Sequence, residues 1–203
     1  MKMEQKYIHN MKNNSIGYYQ NAIPSLLCDD VLTYYDTNQQ DVFESEIANR
    51  NVSGTIKHNK LRVSNELELS PFKSDELYNK LLDAIHIFVQ KYIATYPAVY
   101  NIIKDGGYER FSIIRYEPGV GHYGYHTDND GLVISNRVLS VIVYLNDVIE
   151  GGETEFAYVD KIIKPSKGDV IVFPSGWTHL HKGNMPISNS KYICVTWFNK
   201  KIE

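Results

Sequence analysis

The sequence predicts an α+β protein in which N-terminal helices pack on an all-β C-terminal half, either a barrel or a jelly-roll sandwich. Helical periodicity dominates one long stretch before Pro97. From about Tyr108 onward, short β-branched and aromatic segments alternate with turn residues. The chain has 203 residues, of which 43% are hydrophobic, so we expect residues 1–203 to form a single domain with a sizeable core.

The first half contains one predicted strand and two predicted helices. The strand covers residues 18–23 and ends at a proline. A helix over residues 25–37 follows, with the Ser25 hydroxyl as its candidate N-cap. A longer helix is expected to begin after Ser74, to have acidic residues in its first turn and to end at Tyr96, before a proline.

The second half contains six predicted strands, each bounded by Gly, Pro, Asn or Asp. They cover residues 110–117, 122–128, 137–146, 153–158, 169–173 and 191–198. Many short strands at regular spacing are typical of a sandwich or barrel, which is why this half is expected to form the core of the fold.

Composition and charge exclude several classes of protein. The net charge is −3, so no strong basic field favours nucleic acid as a partner. We see no apolar run of transmembrane length and no secretory signal pattern, so we expect no membrane partner. Cys28 and Cys194 are too few and too distant for a disulfide framework, and we interpret both as small buried hydrophobes. The predicted localisation is cytoplasmic.

Seven histidines are the candidate metal ligands and acid–base groups. His9 and His58 lie in polar stretches and are assigned to the surface, and His86 is assigned a structural role within the second helix. The other four all fall in the β half of the sequence: His122, His126, His179 and His181.

His126 and Asp128 form a His-x-Asp pair on a predicted strand. On a strand, residues i and i+2 share one face, so the pair can bind one metal ion. The pair alone is weak evidence, because about one His-x-acid pair is expected by chance in a chain of this composition. A structural histidine beside an acidic turn is the competing interpretation.

A second histidine from another segment would complete a metal site. His179 and His181 are also separated by two residues, and both would point the same way in extended backbone. Two imidazoles and one carboxylate form the facial triad that favours Fe(II) and leaves three coordination positions open. The residues themselves leave the choice between His179 and His181 open.

The C-terminal half resembles a known family in six ordered motifs. It is similar to the iron(II)- and 2-oxoglutarate (2OG)-dependent dioxygenases, in particular the prolyl 4-hydroxylase branch. The resemblance covers residues 105–199, and a weaker one covers residues 62–64. The matching segments are residues 115–119, 126–128, 137–147, 151–156, 167–174 and 181–197.

This resemblance implies a double-stranded β-helix, the cupin-like jelly roll, in residues 105–199, supported by residues 1–104. It also implies Fe(II) as cofactor, 2OG and O2 as cosubstrates, and ascorbate as reductant. In the family, the basic residue that binds 2OG follows the distal histidine by about ten positions, which fits Lys191 and selects His181 over His179. The implied metal ligands are therefore His126, Asp128 and His181.

The resemblance also implies roles for several aromatic residues and one arginine. Tyr116 and Tyr144 match positions whose hydroxyls bind the cosubstrate, although packing is the alternative role for each. Tyr123, Arg137 and Trp197 match positions that face the primary substrate or the iron. Arg137 could instead form an ordinary ion pair, and Trp197 could be plain core.

The predicted function is hydroxylation of an unactivated C–H bond with release of succinate and CO2, and the resemblance implies a prolyl residue of a peptide or protein as the substrate. Residues 47–65 and 127–136 are expected to form loops beside the site. One alternative is a hydroxylase of a free amino acid or other small molecule. Another is a non-catalytic metal-binding jelly roll, and a zinc hydrolase is a distant third because it would give Lys191 no task.

Overall fold

A computed structural model of the chain describes residues 14–48, 55–57, 60–129 and 136–201. Three α-helices are present in these ranges: α1 (Ser25–Thr37), α2 (Asp75–Thr95) and α3 (Tyr100–Ile103). Seven strands precede the core region of the sequence: β1 (Gly17–Tyr19), β2 (Phe43–Glu44), β3 (Ile47–Ala48), β4 (Thr55–Ile56), β5 (Arg62–Val63), β6 (Asn65–Leu69) and β7 (Gly107–Tyr108).

The remaining strands build most of the sandwich. They are β8 (Phe111–Tyr116), β9 (His122–His126), β10 (Arg137–Tyr144), β11 (Thr154–Phe156), β12 (Lys161–Ile163), β13 (Val170–Pro174), β14 (His181–Gly183) and β15 (Lys191–Asn199). No helix in the described ranges has both the length and the apolar composition needed to cross a membrane.

All strand pairs are antiparallel and form two larger sheets. The major sheet has the order β1-β13-β10-β15-β8-β6-β2, and β7 also pairs with β15. The minor sheet has the order β12-β11-β14-β9-β5, and β3 pairs with β4 separately. The strand order shows that neighbours in the sheets are mostly distant in sequence, as a jelly roll requires.

The major sheet buries side chains on both faces, because consecutive residues of a strand point to opposite sides. On one face, Phe111 and Ile113 of β8 and Val141 of β10 join a core shared with α1 and α2. On the other face, Ile114 of β8 and Ile142 of β10 join a second core that faces the minor sheet. The helices therefore cover one face of the sheet, and the minor sheet covers the other.

Both predicted helices are confirmed, with small differences at their ends. Helix α1 covers the predicted residues, but its N-cap position is Pro24, so the prediction of Ser25 as a capping residue was wrong. Ser74 does occupy the N-cap position of α2, although its hydroxyl forms no capping hydrogen bond. The predicted strand over residues 18–23 is shorter and earlier, Gly17–Tyr19, because Asn21 turns the chain with φ 49°.

The six strands predicted in the second half are all present, to within a few residues at each end. The predicted loop over residues 47–65 is in part wrong, since β3, β4 and β5 lie within it. Residues 130–135 of the other predicted loop lie outside the described residues, as do His9 and His58. Cys28 and Cys194 are buried free thiols, as expected.

Candidate functional site

A cavity of about 360 Å³ lies between the two sheets. Its walls come mainly from the inner face of the major sheet and from β9 and β14 of the minor sheet. Its lining includes polar residues that the sequence singled out, together with one threonine that it did not: His126, Asp128, Arg137, Thr154, His181 and Lys191.

Three potential metal ligands meet at one side of this cavity. The ligand atoms of His126, Asp128 and His181 all lie within 4.8 Å of one another. The His126 Nε2 atom is 3.6 Å from Asp128 Oδ1, and the His181 Nε2 atom is 3.9 Å from Asp128 Oδ2. His126 and His181 are also register partners across β9 and β14. Two strands and the bend after β9 thus bring together residues 55 positions apart in the sequence.

Both imidazoles present an unprotonated nitrogen to the carboxylate. His126 Nδ1 lies 2.9 Å from the Gly124 carbonyl oxygen, and His181 Nδ1 lies 3.0 Å from the His179 carbonyl oxygen. Because a carbonyl only accepts, Nδ1 donates in each ring and carries the proton. The lone pair of each Nε2 then faces Asp128, which is the tautomer that binds a metal ion.

The protonation states in this cluster also suit metal binding. Burial lowers the pKa of His181 to about 4, so the ring is neutral at pH 7. Burial alone would raise the pKa of Asp128, but the neighbouring imidazoles and the Ser140 hydroxyl outweigh it and hold that pKa well below its usual range. Asp128 is therefore a carboxylate at pH 7, and the neutral ring of His181 lies beside it.

The structure separates His179 from the cluster. Residues Trp177–His179 form a 3-10 turn, and only His181 lies in a strand. The expectation that both histidines point the same way was wrong for this reason, because it assumed extended backbone. The His179 ring is buried on the other side, with Nε2 2.9 Å from the Asn14 carbonyl and Nδ1 2.9 Å from the Thr178 hydroxyl.

Asp128 also differs from the expected local structure. Strand β9 ends at His126, and Asp128 lies in a bend beyond it. The two side chains still converge, but they do so because the Asp128 carboxylate accepts a hydrogen bond of 2.6 Å from Ser140 on β10, not because they share a strand face.

Lys191 lies at the first position of β15 and is only 2% exposed. Its Nζ atom lies 5.4 Å from the Tyr116 ring centre and 5.7 Å from the Tyr144 ring centre. Burial lowers the pKa of Lys191 to about 7, and the charge of Glu153 offsets this only in part. Among the described residues, no carboxylate lies within ion-pairing distance of its Nζ atom. A buried cation without a partner fits an anionic ligand.

The two tyrosines beside Lys191 differ in their surroundings. Tyr116 lines the cavity, and burial raises the pKa of its hydroxyl. Tyr144 is fully buried and is not part of the cavity lining, because its hydroxyl donates a 2.7 Å hydrogen bond to Thr154 Oγ1. Thr154 lines the cavity instead, and the sequence did not single it out.

Tyr123 packs directly on the metal-site histidine. Its ring is stacked on the His126 ring at 3.5 Å with an interplanar angle of 11°. On its other side lies the Arg62 guanidinium, 4.8 Å from the ring centre, and Arg62 pairs with Tyr123 across β5 and β9. Arg62 is held by Glu66 at 3.0 Å. The weak match at residues 62–64 was the only signal for this arginine.

Arg137 and Trp197 form one unit in the cavity wall. The Arg137 guanidinium lies 3.4 Å from the Trp197 ring centre and forms two hydrogen bonds with Glu109, of 2.8 and 2.6 Å. Arg137 therefore forms the ion pair that was its alternative role, and it also lines the cavity. The sequence did not reveal Glu109, because its partner is 28 residues away.

The donor set fits iron(II). Two imidazoles and one carboxylate on one side of a cavity leave open positions on a metal ion, which is the arrangement of non-haem Fe(II) oxygenases. The unpartnered Lys191 across the same cavity fits a dicarboxylate that reaches from the metal to a fixed cation.

Residues 111–199, which form β8 to β15, match the sequence profile of the 2OG-Fe(II) oxygenase superfamily. This part of the chain is therefore similar to the 2OG-Fe(II) oxygenases. Prolyl 4-hydroxylase 13 of Arabidopsis thaliana is 33% identical to it, over 44% of this chain and 42% of that protein. The chain thus resembles the prolyl 4-hydroxylases, and the match spans less than half the length of that curated relative.

Solved structures confirm the fold. The viral collagen prolyl hydroxylase of Paramecium Bursaria Chlorella virus-1, in complex with 2OG, superposes with a TM-score of 0.68 at 21% identity, over 92% of this chain and 96% of that one. A prolyl hydroxylase of Trichoplax adhaerens, in complex with a hypoxia inducible factor peptide fragment, superposes with a TM-score of 0.70 at 16% identity. The superposition covers 98% of this chain and 90% of that one. The predicted α+β jelly roll is confirmed.

Proposed function

We propose that the chain is an iron(II)- and 2OG-dependent dioxygenase that hydroxylates a prolyl residue in a peptide or protein. The observation that carries this proposal is that the cluster of His126, Asp128 and His181 and the buried Lys191 face one cavity. When bound, iron would activate O2, the oxidant, so that one oxygen atom enters succinate as 2OG loses CO2 and the other converts a C–H bond to an alcohol.

The protein's own residues have separate tasks in this proposal. His126, Asp128 and His181 hold the metal on one side and leave the positions toward the cavity open. Lys191 holds the far carboxylate of 2OG, with help from the Tyr116 hydroxyl. The sandwich walls around the cavity exclude water, which limits side reactions at an oxidising centre.

The substrate is proposed from the walls of the outer cavity. Tyr123 lies beside the metal side with the edge of its ring toward the cavity, since His126 and Arg62 lie against its faces. Trp197 offers an indole fixed by Arg137. Aromatic side chains suit the apolar ring of a prolyl residue, whereas the Arg137 guanidinium suits a peptide carbonyl. The match to prolyl 4-hydroxylases supports this choice. The cytoplasmic compartment and the ascorbate requirement expected from the sequence belong to the same proposal.

The test is a succinate assay of the whole protein with Fe(II), 2OG, ascorbate and oxygen. Proline-containing peptides should raise succinate formation and gain one oxygen by mass spectrometry, and the same peptides with each proline replaced by alanine should do neither. Free L-proline and other free amino acids are assayed in parallel.

Three other results would overturn parts of the proposal. Succinate coupled only to a free amino acid would identify a small-molecule hydroxylase. Coupling to an oxidised peptide residue other than proline would remove the prolyl assignment alone. No 2OG turnover with iron and ascorbate present would leave a non-catalytic metal-binding jelly roll.

A further inference from the structure

The Asp128 carboxylate accepts a hydrogen bond from one buried serine hydroxyl, which is in turn hydrogen-bonded to a second. The proposed reaction uses neither serine. Ser140 lies on the cavity-facing side of β10 and is fully buried, and Ser175 follows β13 and is 1% exposed. Ser140 Oγ donates to Asp128 Oδ2 at 2.6 Å and lies 2.8 Å from Ser175 Oγ. A serine hydroxyl has one proton, so Ser140 must accept from Ser175.

The backbone of Ser175 closes this network. Its N–H donates to the Val138 carbonyl at 3.0 Å, which ties Ser175 to β10. Its carbonyl accepts the Asn129 N–H at 2.9 Å, directly after Asp128. Ser175 therefore holds the bend that carries Asp128 in two ways, through the Ser140 hydroxyl and through the backbone.

This bracing matters because Asp128 lies beyond the end of β9. The ladder hydrogen bonds that fix His126 and His181 on β9 and β14 do not extend to it. A carboxylate on an unbraced bend can rotate, and rotation changes whether it gives a metal one oxygen or two. Because a facial triad keeps three positions open only if each ligand takes one, the orientation of Asp128 affects cosubstrate binding.

We propose that Ser140, supported by Ser175, is a positioning residue that makes Asp128 bind the metal through a single oxygen. The hydrogen bond from Ser140 occupies Oδ2 and restrains the carboxylate, so that Oδ1 is presented to the metal. This inference rests on the proposed function, since it requires that the cluster binds a metal ion.

The test compares variants by their binding of Co(II), an air-stable probe, in the absence of 2OG. Ser140→Ala should weaken Co(II) binding about tenfold in calorimetric titration, because residues that orient a metal ligand affect affinity to this extent. It should also change the visible absorption spectrum of bound Co(II), which responds to coordination number. Ser140→Thr keeps the hydroxyl and should restore both, and Ser175→Ala should show a smaller loss.

Ser112→Ala is the matched control. Ser112 lies on β8, the neighbour of β15, on the same cavity-facing side of the major sheet as Ser140. It is 2% exposed, and none of its hydrogen bonds reaches a proposed metal ligand. Thermal unfolding of each metal-free variant shows whether the fold is retained. The role of Ser140 would be overturned if Ser140→Ala bound Co(II) as tightly as the unsubstituted protein, or more tightly, with the same absorption spectrum. Failure of the unsubstituted protein to bind Co(II) would instead overturn the proposed metal site, and this inference with it.

Discussion

The two faces of the major sheet differ sharply, although they alternate along the same strands. The helix-facing side of β8, β10 and β15 carries Phe111, Val141 and Cys194, which are buried among apolar groups of α1 and α2. The opposite side of the same strands carries Tyr116, Ser140 and Lys191, which are equally buried. Burial alone therefore does not distinguish a core from a site, whereas the chemistry of what is buried does.

The difference shows that the unfavourable burial of charged groups is confined to the cavity-facing side of these strands. An apolar side chain gains free energy from burial, whereas a buried ammonium or carboxylate loses hydration. The helix-facing side thus stabilises the sandwich, and the cavity-facing side carries groups that a ligand must satisfy. Substitutions on the two faces should separate stability from binding.

The largest expected effect is on the cavity-facing side, at Asp128. Asp128→Ala removes one of three proposed ligands and should weaken Co(II) or Fe(II) binding by more than about a hundredfold, because residues that merely orient a ligand account for 10- to 100-fold. Titration calorimetry measures the loss. The exposed Asp83 on α2 provides the control, and equal metal affinity in Asp128→Ala and Asp83→Ala would contradict the assignment.

The next effect is expected on the helix-facing side. Phe111→Ala should lower the free energy of unfolding by about 3–5 kcal/mol, because it leaves a cavity where the ring packs on Tyr78 of α2 at 5.1 Å. Urea unfolding measures this change. The metal affinity of the folded variant should stay within about twofold of the unsubstituted protein, and a large fall would show that the two faces are coupled.

Lys191→Met should weaken 2OG binding but stabilise the ligand-free protein. The affinity for 2OG should fall at least about thirtyfold, equivalent to about 2 kcal/mol, because the far carboxylate loses its buried partner. The ligand-free variant should be more stable at pH 7, since an uncompensated buried charge is removed. Lys182→Met is the matched control, because Lys182 lines the same cavity but is paired with Glu155 at 3.0 Å. This substitution should lower 2OG affinity far less.

The same lysine predicts a pH dependence of stability. Its pKa is lowered to about 7 in the folded protein from about 10.5 when unfolded, so the unfolded state binds more protons between these values. Stability of the ligand-free protein should therefore rise between pH 7 and pH 9, by about 2 kcal/mol more than in Lys191→Met. Parallel pH curves for the two proteins in denaturant titrations would refute a charged, unpaired Lys191.

The smallest effects are expected at the two tyrosines beside Lys191. Tyr116→Phe should weaken 2OG binding by about 1 kcal/mol, roughly fivefold, because Tyr116 lines the cavity beside Lys191. Tyr144→Phe should instead lower the unfolding free energy by about 1 kcal/mol, because it breaks the bond to Thr154. The opposite pattern in binding and unfolding measurements would show that Tyr144 turns toward the cosubstrate.

The sequence predicted the helices, the sandwich and the residues of the metal cluster, because periodicity and ordered motifs are local signals. It did not predict how Asp128 and His179 are placed, since a bend and a 3-10 turn replace extended backbone at these points. Glu109 and Ser175 were missed because each acts on a partner at least 28 residues away. Strand β6 had a signal that was overlooked, the alternation of acidic and apolar residues over Asn65–Leu69.

Strand β15 lies at the centre of the major sheet, between β10 and β8, although it follows every other strand in the sequence. During synthesis, β8 and β10 would therefore emerge from the ribosome with an empty place between them. Such non-local pairing slows folding and leaves strand edges open to association with other chains. Because Lys191 is on this strand, the sheet and the proposed cosubstrate site would be completed in the same late step.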